Sequence, residues 1–148
     1  MISNHQKNIA TFIHLSTFSR FIIPFGNFIG PILLWMTNKE NSEFVDAHGK
    51  QAINFQISVL LYAVVLAALA IPLLLFNVLG PVNLFDFNGF DTMHFDFVNF
   101  TPLLLTVFVI AFLAMIGFIL ELVFIVVASL KARDGELYKY PLTINFLK

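Results

Sequence analysis

Three long apolar blocks constrain the fold of this 148-residue chain more than any other feature of its sequence. They occupy residues 9–36, 52–80 and 102–130, and the last two would each extend about 43 Å as α-helices. The hydrocarbon core of a bilayer is only about 30 Å thick, so both of these blocks are long enough to cross it. The sequence therefore predicts an all-α fold, a polytopic transmembrane helical bundle.

The composition argues against a soluble protein and offers no sign of an enzyme. Hydrophobic residues make up 59% of the chain and charged residues 11%, which is too little charge for the surface of a soluble domain. The net charge of -1 gives no basic patch for nucleic acid, and the absence of cysteine excludes thiol chemistry and disulfides. Because no nucleophile–base pair, phosphate loop or metal cluster is apparent, we predict a non-enzymatic protein without cofactor or metal.

The chain is too short to carry more than one membrane domain. We expect a single transmembrane domain over residues 1–148, divided into helical segments, an outer loop and a tail. The helical segments are predicted at about 8–37, 43–80 and 102–132, the outer loop at 81–101 and the cytoplasmic tail at 133–148.

The first apolar block is interrupted near its centre by residues that disfavour a straight helix. These residues are Arg20, Pro24, Gly26, Gly30 and Pro31. The block could form one broken span, or a pair of short helices at about 8–20 and 27–37 folded as a hairpin. We favour the pair, which gives about four hydrophobic helices in all.

The distribution of lysine and arginine predicts the orientation, because cytoplasmic loops carry an excess of basic residues. The segment after Leu130 holds four basic residues, residues 37–51 hold two, and residues 81–101 hold none beside three aspartates. We therefore expect a cytoplasmic C-terminus and an outward-facing loop at 81–101. The side of the N-terminus depends on whether the first block spans the membrane once or forms a hairpin.

The most polar region, residues 42–58, precedes and enters the second apolar block. Ser42 can cap a helix, and His48, Gln51, Asn54 and Ser58 follow at spacings that place them on one helical face. We expect a cytoplasmic interfacial helix here. Its polar face could bind a partner helix, a head group or a translocating substrate, or it could tie the ends of the bundle together. We favour the structural interpretation.

Glu121 is the one ionisable residue inside the third apolar block. A carboxylate at that depth costs about 2.5–3.5 kcal/mol on insertion scales, so it should face the bundle and find a partner or carry a proton. Its available partners include Arg20, His14, His48 and the amides of the second helix. Glu121 could form a proton or cation site, but we favour a structural hydrogen bond between helices.

Three sequence runs together resemble a known family. They are Gly30-Pro31 followed by Trp35, residues 48–56 (HGKQAINFQ), and residues 135–146 (GELYKYPLTINF). The combination is similar to a family of small bacterial membrane proteins of unknown function. That family is grouped with the Tic-twenty-like proteins, named for a component of the chloroplast inner-envelope import translocon. Within the third run, Tyr138, Tyr140 and Pro141 are further candidates for interaction.

The resemblance implies a bundle of about four helices in a bacterial plasma (inner) membrane and supplies no catalytic or ligand residues. We expect an accessory or scaffold subunit of a membrane complex, whose partners are the lipid bilayer and another membrane protein or a second copy of the chain. No nucleic-acid partner is expected. The alternative is a transport or translocation component that lines a path for polypeptide or ions.

Overall fold

The structure, a computed structural model, describes residues 2–79 and 97–147, and these ranges contain four α-helices and no strands. The helices are α1 (Asn4–Leu15), α2 (Gly26–Asn38), α3 (Glu43–Leu79) and α4 (Phe97–Asp134). The all-α prediction is confirmed. Most of the predicted outer loop, including its three aspartates, lies outside the described residues.

The first apolar block forms two helices rather than one span. Ser3 begins α1 with a capping box, in which the Ser3 hydroxyl accepts from the Gln6 amide and the Gln6 side chain accepts from the Ser3 amide. A 3₁₀ segment at Ser16–Phe21 follows, and α2 packs back against it and against α1. With 12 and 13 residues, α1 and α2 are each about 18–20 Å long, shorter than the bilayer.

Two glycines at a four-residue spacing allow α2 to approach the 3₁₀ segment closely. A Cβ atom on Gly26 would lie 2.5 Å from the carbonyl oxygen of Ser19, and one on Gly30 would lie 2.8 Å from the carbonyl oxygen of Ser16. Helix pairs in membranes commonly use such small residues because side chains would separate the two backbones. The two glycines that interrupt the apolar block therefore also allow α2 to pack closely against the 3₁₀ segment.

The remaining two helices are long enough to cross a membrane. The most apolar 18-residue windows of Glu43–Phe76 and Thr101–Asp134 have mean hydropathies of 2.8 and 3.0. The residues expected to form an interfacial helix are the first turns of α3, which covers nearly all of the helical segment predicted at 43–80; their position at a membrane surface stays a prediction. The Ser42 hydroxyl accepts from the Val45 amide, and no proline or chain reversal separates these turns from the apolar part.

Contacts divide the chain into two compact units, Met1–Leu61 with Ile119–Lys148, and Tyr62–Phe118. The first unit holds three small apolar cores. They are formed by Phe55, Ile125, Ala128 and Tyr140, by Ala10, Phe44 and Ala132, and by Ile13, Val45 and Ala52. The described residues of the second unit are apolar helix with large exposed side chains such as Leu69 and Phe108. Such a surface suits lipid better than water.

We predict that Gly49→Ala destabilises the first unit by about 1–3 kcal/mol through overpacking. A Cβ atom there would lie 2.1 Å from Cδ1 of Trp35, whose indole N–H donates to Asp46 at 2.8 Å and so holds the ring in place. Thermal unfolding in detergent measures the effect. Gly117→Ala in α4 is the matched control, because a Cβ atom there meets nothing within 4 Å and should be neutral or stabilising. Equal melting temperatures for the two variants would contradict the packing argument.

Candidate functional site

The polar face of α3 binds the C-terminal tail of the same chain. The tail, residues 135–147, follows α4 and contacts α3 through His48, Asn54 and Ser58. These three residues are buried, as the contact with the tail requires. The sequence predicted that they share one helical face, and in the structure the tail lies against that face.

A chain of hydrogen bonds joins the tail to α1 and α3. The Tyr140 hydroxyl lies 2.8 Å from Nδ1 of His14, Nε2 of His14 lies 2.8 Å from Nδ1 of His48, and Nε2 of His48 lies 3.2 Å from the Glu136 carbonyl. A carbonyl can only accept, so His48 donates from Nε2 and accepts from His14 at Nδ1. His14 in turn accepts from Tyr140. Both imidazoles are therefore assigned as neutral tautomers, and every bond donates in the same direction.

Tyr140 is the anchor of the tail. Its side chain is 2% exposed and its ring stacks on Phe55 with centroids 4.1 Å apart. Burial, together with the neighbouring Tyr138 and Glu121, holds the pKa of Tyr140 well above its ordinary value, so the phenol remains a neutral donor. Tyr138 is half-buried and meets the Tyr140 ring edge-on, whereas Pro141 is exposed.

Asn54 clamps the end of the tail with both atoms of its amide. Its Oδ1 accepts from the backbone amides of Phe146 and Leu147 at 3.2 and 2.8 Å, and its Nδ2 donates to the Leu147 carbonyl at 3.0 Å. One turn further along α3, the Ser58 hydroxyl accepts from the Ile144 amide at 2.9 Å. The side chains of Asn54 and Ser58 thus provide hydrogen-bond partners for backbone groups of the tail.

The other amides on α3 are less completely paired. Gln56 accepts from Nδ2 of Asn27 on α2 at 2.8 Å, but its own Nε2 is buried without a hydrogen-bond partner. The side-chain oxygen of Gln51 is likewise buried without a partner. Gln51, predicted as a member of the interaction face, therefore makes none of the tail hydrogen bonds described above.

Glu121 forms an ion pair with Arg20. The Glu121 side chain is 4% exposed and that of Arg20 is 31% exposed, so the carboxylate is enclosed and the guanidinium is partly accessible. The contact joins α4 to the end of the 3₁₀ segment. Arg20 neutralises a charge that could not remain unpaired in an apolar helix.

These contacts join α1, the 3₁₀ segment, α3, α4 and the tail to one another. The hydrogen-bond chain from Tyr140 ends on a backbone carbonyl, which cannot take up a proton. Among the described residues no group of three or more histidine, aspartate or glutamate side chains could hold a metal ion. Nε2 of His14 and Nδ1 of His48 are hydrogen-bonded to each other, so these two nitrogens are not free to bind a metal ion.

Sequence reasoning did not select Asn27, and it considered His14 only as a partner of Glu121, not of His48 or Tyr140. Both are polar residues inside the first apolar block, where a side chain that can hydrogen-bond must find a partner. That signal could have selected them. It could not have identified their partners, because His14 and Tyr140 are 126 positions apart in the chain.

The fold and these internal contacts define a small α-helical protein with helices suited to a membrane. The chain belongs to the magnetosome magnetite crystal formation protein family (MamF/MmsF), whose family model matches residues 5–147. This family consists of magnetosome membrane proteins, which supports a membrane location. No curated protein and no solved structure matches the chain.

The resemblance to the Tic-twenty-like family is wrong, because the family match covers nearly the whole chain and names a different family. Two of the runs that suggested the resemblance, residues 48–56 and 135–146, contact each other in the first unit. Polar residues of the first run, among them His48 and Asn54, take part in this packing.

Proposed function

We propose that this protein is a non-enzymatic accessory protein of the magnetosome membrane that acts as a scaffold during magnetite crystal formation. Membership of the family supplies the process. The observation that carries the scaffold role is that polar side chains of the apolar helices bind one another or the tail. The pairs are Arg20 with Glu121, Asn27 with Gln56, His14 with His48, and Asn54 with the tail.

A scaffold needs helices that are held together, and these contacts within the first unit support that role. Each contact joins segments that are distant in the chain, so the first unit resists separation of its helices. A transport path would instead need polar side chains that remain accessible to the transported species. The proposed partners are the bilayer and another membrane protein or a second copy of this chain.

The proposed topology is multi-pass, with α3 and α4 crossing the membrane and the tail on the cytoplasmic side. The basic residues after Leu130 and the lack of lysine and arginine at 81–101 support it. Cysteine labelling is direct because the chain has no cysteine. A cysteine at Glu136 should be protected from an impermeant reagent in intact cells, whereas one at Asn88 should react.

A transport component is the second candidate. The observation that favours it is the pair of buried amide atoms without partners, Oε1 of Gln51 and Nε2 of Gln56, on the same helix. Unsatisfied buried polar atoms are unusual and can mark a site that a ligand or water occupies. Under this proposal the two amides would contact an ion or a polar substrate.

Gene deletion in a magnetosome-forming bacterium tests the scaffold proposal. We expect the deletion to alter crystal size or number by electron microscopy. The wild-type gene and the Gly117→Ala control should restore normal crystals, whereas a variant that releases the tail, Tyr140→Ala, should not. The purified protein in liposomes should conduct no iron or protons. Crystals unchanged by deletion would contradict the proposed process, and ion flux abolished by Gln51→Leu would favour transport.

A further inference from the structure

The hairpin of α1 and α2 ends in a tip whose apolar side chains face outward. The tip is residues 21–25, Phe-Ile-Ile-Pro-Phe, and Phe21, Ile22, Ile23 and Phe25 are 62%, 83%, 52% and 75% exposed. Exposed apolar side chains continue along both arms, at Phe12 and Leu33. A patch of this kind in water is unfavourable and marks a surface that meets a protein or a membrane.

The opposite end of the hairpin is polar and lies level with the end of α4. Ser3, Gln6 and Asn38 line one cavity, which places the start of α1 beside the end of α2. The Lys7 ammonium donates to the Asp134 carbonyl at 3.3 Å, where α4 ends. The hairpin therefore begins and ends on the side of the C-terminal tail.

The ion pair gives the depth that the tip reaches. The apolar run of α4 ends at Leu130, and Glu121 precedes it by nine residues, or about 14 Å of helix. Arg20, bound to Glu121, is the residue directly before the tip. Half the hydrocarbon thickness of a bilayer is about 15 Å, so a membrane-spanning α4 carries the tip to about the middle of the bilayer.

The backbone of the tip suits an apolar environment. The amides of Ile22 and Ile23 donate to the Ser19 carbonyl at 3.0 and 2.9 Å, and the Gly26 amide donates to the Ile23 carbonyl at 2.9 Å. Pro24 has no amide proton. Because irregular backbone is tolerated at membrane depth only when its polar groups find partners in the protein, these bonds are what an inserted turn needs.

We propose that α1 and α2 form a re-entrant hairpin, which enters the bilayer from the side of the tail and returns to it. Its tip, residues 21–25, contacts lipid acyl chains near the bilayer midplane. Lipid is the partner of this surface because apolar side chains are exposed on all sides of the tip. The one charge beside it, on Arg20, is paired with Glu121. The inference concerns membrane insertion and goes beyond the role in crystal formation.

Spin labels on single cysteines in the full-length protein, reconstituted in phosphatidylcholine–phosphatidylglycerol liposomes, test the depth. Ile22, Met36 and Leu137 are suitable sites because all three are exposed and labels there disturb no packing. The label at Ile22 should show a several-fold higher ratio of oxygen to nickel-chelate accessibility than the label at Leu137. The label at Met36, nearer the polar end of α2, should give an intermediate ratio.

A ratio at Ile22 equal to that at Leu137 would overturn the proposal, because the tip would then lie in water or at the surface.

The side of the membrane on which each end of the chain lies provides the second measurement. Cysteines at Ile2 and Leu137, both exposed, should react together with an impermeant reagent in inverted vesicles and be protected together in intact cells. Labelling from opposite sides would show a full span and would also overturn it. Unchanged helical circular dichroism for each variant establishes that its fold is intact. Because the liposomes contain no mineral, the result is independent of the proposed role in crystal formation.

Discussion

The Tyr140→Ala variant is expected to lose about 3–5 kcal/mol of unfolding free energy, the range for truncating a buried aromatic residue. Tyr140 fills the core formed with Phe55, Ile125 and Ala128, and its hydroxyl donates to His14. Truncation would leave a cavity and remove the donor to His14 in one step. Denaturant unfolding in detergent, followed by circular dichroism, measures the loss.

Two companion variants separate packing from hydrogen bonding. Tyr140→Phe retains the ring that stacks on Phe55 and should lose only about 1 kcal/mol, the net worth of one hydrogen bond. Leu137→Ala, in the same tail but 69% exposed, should be within about 0.5 kcal/mol of wild type. If all three variants matched the wild type, the tail would not be docked on α3.

The Glu121→Leu variant should be destabilised by about 3 kcal/mol, the lower end of the range for breaking a buried ion pair. The lower end applies because Arg20 is 31% exposed, so the ion pair is only partly enclosed by the protein. Glu121→Gln should be milder, since an amide oxygen still accepts from the guanidinium. The same unfolding assay in detergent measures both variants.

Removing both charges provides the control. Arg20→Met combined with Glu121→Leu leaves no uncompensated charge, so the double variant should be more stable than Glu121→Leu alone. The single variant Arg20→Met completes the comparison. If its loss of unfolding free energy and that of Glu121→Leu summed to the loss in the double variant, the ion pair would not couple the 3₁₀ segment to α4. In that case Glu121 would have a role other than binding Arg20.

Much of the fold follows from local sequence. The apolar runs at 52–80 and 102–130 are long enough to require membrane-length helices, and α3 and α4 contain them. Pro24 and Gly26 interrupt the first block where the structure has its turn between the 3₁₀ segment and α2. Periodicity and the conformational limits of proline and glycine act over a few residues, which is why these features could be predicted.

The boundary between the polar and apolar parts of α3 shows where such reasoning fails. The polar residues of 42–51 suggested an interfacial helix, and they form the first turns of α3, whose helical hydrogen bonding continues through Ala52 because no breaker is present. Polarity reports what surrounds a helix and not where the helix ends. The polar side chains were expected to tie the ends of the bundle together, but the sequence did not indicate that the segment they contact is the tail.

The sequence by itself determined the all-α class, the two membrane-length helices and the need for Glu121 to find a partner. Only the tertiary structure decided that the partner is Arg20 and that the polar face of α3 binds the tail. It also brought His14 to Tyr140. Helix length and hydrophobic runs arise from neighbouring residues, whereas these contacts join side chains about 90 to 130 positions apart. Their selection depends on how complete helices pack, which no local pattern encodes.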